Sequence, residues 1–93
     1  MLIKAKEAKR MGAEARELEQ IALYNAVQEW INKINRVIKY HAERGRTQIV
    51  YDTCEGYIKN EVIESIIKIL EDAGYKVKAY DDYGFVCFSI NWE

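Results

Sequence analysis

Cationic and aromatic side chains recur near the middle of the chain. Arg36, Tyr40 and Arg44 follow one another at intervals of four residues, which places them on one side of a helix. Lys33 precedes them on that side, and Arg46 follows. A guanidinium binds phosphate through paired N–H donors and stacks on aromatic rings, and a tyrosine ring stacks on a base. The stripe therefore predicts contacts with a phosphorylated ligand. The alternative is a set of cations favoured by the dipole at a helix C-terminus.

A second set of such side chains lies in the predicted sheet. Lys76, Lys78 and Tyr80 alternate along one strand, and Phe85 begins the next strand. Residues two apart share a face of a sheet, and basic and aromatic residues on a sheet can hold phosphates and stack nucleobases. Lys76 and Lys78 are therefore further candidate ligand contacts. No RNP-like sequence accompanies them, and the alternative is a face that is solvated or covered by a partner.

The sequence contains none of the common catalytic or metal-binding motifs. It has no glycine-rich nucleotide loop, no HExxH and no cysteine pairs at zinc spacing. The only histidine, His41, continues an apolar helical stripe and is predicted to be a hydrogen-bonded residue at a packed helix end. The adjacent carboxylates Asp81-Asp82 and Glu71-Asp72 are accounted for by a turn and a helix end. We therefore predict a non-enzymatic protein with no catalytic residue, cofactor or metal site.

One long helix is predicted to carry the first of these stripes. Residues 1–44 contain no proline and a single glycine, Gly12, and Gly45 follows as a left-handed C-terminal cap. About 40 helical residues span roughly 60 Å, whereas a compact chain of this length has a diameter of about 30 Å. The helix must therefore break near Gly12, or its far end must contact another chain.

The apolar pattern divides this helix into two parts. A broad stripe begins at Leu23 and predicts a core-forming half, so that residues 18–44 are long enough to serve as the core helix. Upstream the stripe is narrow and its side chains are smaller: Ala8, Met11, Ala15 and Leu18. Small side chains let two helices approach closely, so this part predicts homo-oligomerisation, with a solvated helix end as the alternative. We assign residues 1–93 to one domain and residues 1–17 to its protruding or oligomerising part.

The remainder of the chain predicts a β-α-β-β arrangement. Its elements are a strand at 47–52, a helix at 58–73 closed by Gly74, a strand at 75–80, a hairpin turn at 81–84 and a strand at 85–92. The last strand is strongly apolar on one face and semi-apolar on the other, which favours the central position. The predicted fold is α+β: a long N-terminal helix and a three-stranded sheet of order 1-3-2 with the helices on one face.

Composition and charge restrict the classes of function. The chain is 49% hydrophobic, which argues against disorder, and no apolar run reaches the length of about 18 residues needed to span a membrane. Cys54 and Cys87 are interpreted as free thiols in a reducing compartment, the cytoplasm. Residues 1–46 carry ten Lys/Arg and six Asp/Glu, whereas residues 47–93 carry four and nine. This asymmetry indicates either nucleic-acid binding or, as the net charge of −1 favours, contact between the basic half of one copy and the acidic half of another.

Several short segments resemble small uncharacterised proteins of bacteriophages that infect Gram-positive hosts. The segments are Ala5-Lys6-Glu7-Ala8, the charged helix before Gly45, Gly74-Tyr75-Lys76-Val77 and Ser89-Ile90-Asn91-Trp92. By analogy of class, the resemblance implies an oligomeric protein acting in the host cytoplasm. Phage proteins of this size include inhibitors of host defence and sponges that hold nucleotide immune signals between subunits.

The leading hypothesis is therefore a non-enzymatic phage homo-oligomer that sequesters a small phosphorylated ligand, such as a cyclic nucleotide, in pockets between subunits. Its predicted ligand contacts are Arg36, Tyr40, Arg44, Arg46, Lys76 and Lys78. A nucleic-acid-binding accessory protein is the first alternative. An inhibitor or structural module that docks on a host protein is the second.

Overall fold

The chain folds in the element order that the sequence predicts. A computed structural model describes residues 2–93. Its elements are α1 at Ala5–Ala42, β1 at Gln48–Asp52, α2 at Asn60–Asp72, β2 at Lys76–Asp82 and β3 at Phe85–Asn91. The fold is α+β, and the predicted fold class is confirmed.

Helix α1 runs without a break through Gly12 and spans 38 residues. No proline interrupts it, and a single glycine inside a helix costs only about 1 kcal/mol relative to alanine. The helix ends where the sequence predicts, because Gly45 adopts a φ of 77° that a glycine reaches without steric cost. The backbone N–H groups of Gly45 and Arg46 then donate to the carbonyls of Ala42 and His41.

Strand β3 lies between β1 and β2, and both neighbouring pairs are antiparallel. The register places Ile49 of β1 and Val77 of β2 on either side of Ile90. Both helices cover the face of β3 that carries Phe88 and Ile90, and these two side chains are fully buried. The predicted strand order and the predicted inner face are therefore confirmed.

The hairpin between β2 and β3 differs from the prediction. Asp81 and Asp82 were expected in the turn, but both belong to β2, and Asp82 pairs with Phe85. The turn consists of Tyr83 and Gly84 alone, with φ values of 51° and 85°. A two-residue hairpin loop of this type needs positive φ at both central residues. The pairing of Asp81 and Asp82 with β3 therefore outweighs the preference of aspartate for turns.

The molecule is much longer than a compact chain of its size. Its extents are 65 × 28 × 17 Å and its radius of gyration is 17.8 Å, whereas about 12 Å is typical of 93 residues. The excess is the N-terminal part of α1. Its side chains are exposed through Ala22, apart from a partly covered Gly12. Leu18 is 67% exposed, so the core-forming half of α1 begins at Leu23 rather than at residue 18.

Candidate functional site

The predicted cationic stripe lies at the C-terminal end of α1, where Arg44 and Tyr40 contact each other. The guanidinium carbon of Arg44 lies 3.5 Å from the centre of the Tyr40 ring. Its Nη1 also donates a hydrogen bond of 2.8 Å to the Tyr40 carbonyl, which would otherwise lack a partner at a helix end. The remaining guanidinium N–H groups point to no protein acceptor among the described hydrogen bonds. Arg44 therefore has both a structural role and free donors.

His41 and Arg46 form a second contact beside this pair. Nη1 of Arg46 is hydrogen-bonded to Nδ1 of His41, and the His41 ring packs edge-on against Tyr40 with ring centres 5.2 Å apart. His41 is half-buried, so the prediction of a packed, hydrogen-bonded histidine is confirmed. The Arg46 and Arg44 side chains are thereby both held against the last turn of α1.

Arg36 lies one turn before Tyr40, on the side of α1 that faces away from the sheet. It is two positions from each of the buried residues Ile34 and Ile38, and two positions correspond to about 200° around a helix. In the described part of the chain, the one ion pair joins Arg10 to Glu14. Arg36, Arg44 and Arg46 thus form no ion pair with a carboxylate of residues 2–93.

Lys76 and Lys78 lie elsewhere on the molecule. They stand opposite Asn91 and Ser89 in the β2–β3 register, on the face of the sheet that neither helix covers. Arg36 and Tyr40 lie on the other side of the domain, beyond α1. A single chain therefore brings Tyr40, Arg44 and Arg46 together, but it does not bring them to Lys76 or Lys78.

The open face of the sheet is more apolar than the sequence pattern alone indicates. Val50, Tyr80 and Phe85 are exposed there, whereas Cys87 between them is buried. Burial, followed by the nearby carboxylates of Asp52 and of the end of β2, raises the pKa of the Cys87 thiol. Burial and the neighbouring Cys87 raise the pKa of Tyr80 in the same way. This face therefore keeps its thiol and phenol protonated at neutral pH, which does not favour nucleophilic chemistry.

The predicted oligomerisation residues lie on the exposed part of α1. Ala8 and Ala15 are exposed, Met11 is 53% exposed and Leu18 is 67% exposed. Their spacing of three, four and three residues keeps them on one side of the helix. Within one chain nothing in residues 2–93 covers this side.

A groove that the sequence did not predict lies where the exposed and buried parts of α1 meet. It encloses about 790 Å³ between α1 and the segment that leads into α2. Its apolar lining includes Ala22, Leu23, Ala26, Trp30, Ile58 and Val62. Leu23, where the broad apolar stripe begins, and Trp30 are both half-buried and pack against the core, so each has one side in the core and one in the groove. The prediction missed the groove because its walls are far apart in sequence.

The described residues offer neither a metal site nor a membrane-spanning helix. Among residues 2–93, no group of three or more His, Cys, Asp or Glu side chains is placed to hold a metal ion. The described helices also include none that is long and apolar enough to cross a membrane.

Comparisons of this chain with protein-family models, with curated protein sequences and with solved structures gave no significant match.

Proposed function

We propose that the protein is a non-enzymatic homo-oligomer that binds a small phosphorylated ligand. The observation that carries this proposal is the N-terminal part of α1, which extends beyond the core with its apolar side exposed. Exposed apolar surface that is continuous along a helix is typical of a protein–protein contact.

The energetics support assembly through this part of α1. Burying apolar surface stabilises a contact by about 25 cal/mol per Å², and both Met11 and Leu18 are more than half exposed in one chain. Ala8 and Ala15 alternate with them, and their small side chains permit close approach of a second helix. The same stripe in a monomer would leave a long charged helix with little to hold it in place.

The charges at the other end of α1 support a phosphorylated ligand. Arg44 and Arg46 are held by Tyr40 and His41, which lowers the conformational entropy lost when they bind a phosphate. The exposed Tyr40 ring adds a surface on which a base can stack. Lys76 and Lys78 lie on the opposite side of the domain, so a pocket that uses both sets of residues has to lie between copies. Because Tyr40 is about 38 Å along α1 from Ala15, this pocket needs a contact between globular regions that is separate from the contact made by the N-terminal part of α1.

The resemblance to phage proteins supports a cyclic-nucleotide-type immune signal as the ligand and the host cytoplasm as the place of action. In this proposal the protein removes the signal by holding it and does not cleave it. No membrane partner is involved.

Native mass spectrometry of the purified protein, with and without a panel of linear and cyclic nucleotides, tests the proposal. We expect more than one chain per particle and a mass increase that corresponds to bound nucleotide. A particle that contains one chain at all concentrations would refute the assembly, and no binding by any phosphorylated compound would refute the ligand class.

Paired substitutions at the end of α1 test the residues. Arg44→Ala with Arg46→Ala should weaken binding at least about tenfold, since each charged hydrogen bond contributes about 1.5–3 kcal/mol. Lys68→Ala, which removes an exposed cation from α2, is the matched control and should bind normally. Binding to DNA or RNA that falls steeply with salt would instead favour the nucleic-acid alternative.

A further inference from the structure

We propose that the groove between α1 and α2 is occupied by residues 2–10 of a second copy, in an antiparallel dimer of α1 helices. This inference rests on the homo-oligomer proposed above and names the surface that each copy offers. Each copy donates one segment and accepts one, so the contact is closed and two-fold symmetric.

The groove has an apolar floor and a charged rim with one more carboxylate than cations. The floor is the apolar lining described above, and it remains open to solvent in one chain. Three carboxylates line the rim, and they outnumber its two cations, Arg16 and Lys59. The carboxylates are Glu19, Glu55 and Glu61. An occupant with an apolar end and positive charges fits such a groove.

Residues 2–10 have this composition. Leu2 is 94% exposed and Ile3 is 53% exposed, so both lack a place in their own core. The cations that follow are Lys4, Lys6, Lys9 and Arg10, with Glu7 as the one carboxylate. The segment thus carries a charge of +3, opposite in sign to the excess on the groove. Complementary charge of this kind sets the partner and the orientation of an interface.

The lengths along α1 agree with this arrangement. The α1 residues that line the groove lie between Arg16 and Trp30, and their midpoint is Leu23. The midpoint of residues 2–10 is Lys6. In an antiparallel pair of identical helices, the two-fold axis lies midway between two residues that meet, and here that position is beside Ala15. The axis therefore falls within the stripe of small residues, so one symmetry operation covers both the stripe and the groove.

Cysteine cross-linking in the full chain tests this geometry. In a Cys54→Ser background, which removes the exposed native thiol, the variant Ala15→Cys should form a disulfide-linked dimer. Ala8→Cys alone should not, because the two thiols would lie roughly 20 Å apart along the helices, and a disulfide needs Cα atoms within about 7 Å. A mixture of Ala8→Cys and Ala22→Cys chains should cross-link to each other.

Charge reversal tests the occupant of the groove. Replacing Lys6, Lys9 and Arg10 with glutamate should weaken the dimer at least tenfold, and so should Glu55→Lys with Glu61→Lys. In a mixture of the two reversed chains, the acidic segment of one meets the basic groove of the other, and the native basic segment meets the native groove. The mixture should therefore associate more tightly than either chain alone. Unchanged self-association of both reversed variants would overturn the proposal.

The outcomes separate this inference from the proposed function. A wild-type chain that stays monomeric in light scattering refutes the homo-oligomer and this inference together. If the wild-type chain is oligomeric and the Ala8→Cys variant links to itself, the helices do not pair about an axis beside Ala15. That result overturns the proposed dimer and leaves the homo-oligomer in place. An oligomer in which none of the introduced cysteines cross-link overturns the inference in the same way.

Discussion

The two parts of α1 share one continuous backbone and differ in what covers them. In the core-forming half, Val27, Ile34 and Ile38 are buried, whereas no residue from Ala5 to Ala22 is. Isolated helices shorter than about 12–15 residues are marginal in water. The core half therefore supplies the stability, and the exposed half continues a helix that is already formed. Its helical structure gives the exposed half a rigid surface.

The largest expected effect comes from opening a cavity in the core half. Ile34 is 0% exposed, so Ile34→Ala should lower the free energy of unfolding by about 2–5 kcal/mol. Leu18→Ala removes a similar side chain from the exposed half and should change it by less than about 0.5 kcal/mol. Urea denaturation in dilute solution measures both.

The same two variants also test whether the two halves of α1 differ in packing. If Leu18→Ala costs as much as Ile34→Ala in dilute solution, the exposed half is packed within a single chain. At higher concentration Leu18→Ala should reduce assembly while leaving the fold intact, and light scattering would detect the change.

A smaller, local effect is expected at Gly12. Alanine favours a helix over glycine by up to about 1 kcal/mol, and a Cβ at Gly12 would meet only Nη1 of Arg16 at 3.7 Å, an ordinary contact. Gly12→Ala should therefore slow amide hydrogen exchange near residue 12 without moving the urea midpoint of the core. If the urea midpoint instead rises as much as a stabilisation of about 1 kcal/mol predicts, the two halves of α1 unfold as one unit.

The smallest expected effect is the dependence of stability on pH that Cys87 causes. Cys87 lies in the globular region, and its effect is small near neutral pH. Its thiol has a raised pKa in the folded protein, mainly through burial, while an unfolded thiol ionises near pH 8.5. Between that pH and the raised pKa, the unfolded state holds fewer protons than the folded state, so the free energy of unfolding falls as the pH rises. Below about pH 8.5 the thiol is protonated in both states, and stability does not depend on it. Thermal unfolding from pH 7 to pH 10 measures this slope, and Cys87→Ala should make it shallower. An equal slope in that variant would exclude Cys87 as its source.

Much of the fold is predictable because local signals agree with each other. Gly45 and Gly74 end their helices where a left-handed residue is needed, with φ values of 77° and 101°, and the apolar alternation in β3 makes it the central strand. The hairpin turn was predicted two residues too early at its start. A Tyr-Gly turn with positive φ at tyrosine is rare, so no local preference points to Tyr83.

The site is less predictable than the fold. The grouping of Tyr40, Arg44 and Arg46 follows from helical spacing and from one glycine cap, and the structure brings these residues together. The separation of Lys76 from them depends on which sheet face the helices cover. The groove is harder still, because it joins α1 residues to Ile58 and Val62, and no periodic pattern relates residues so far apart. At this site, the contacts within α1 were therefore predictable, whereas the groove between α1 and the segment that leads into α2 was not.

The central position of β3 has a consequence for the order of folding. Strands β1 and β2 do not pair with each other, because β3 lies between them. No part of the sheet can therefore form before Phe85–Asn91 has been synthesised and has emerged from the ribosome. The backbone hydrogen bonds of α1 are local, and local contacts form much faster than distant strand pairs. The helix can therefore form on the growing chain before any part of the sheet does, so α1 and the sheet fold in the order in which their synthesis is completed.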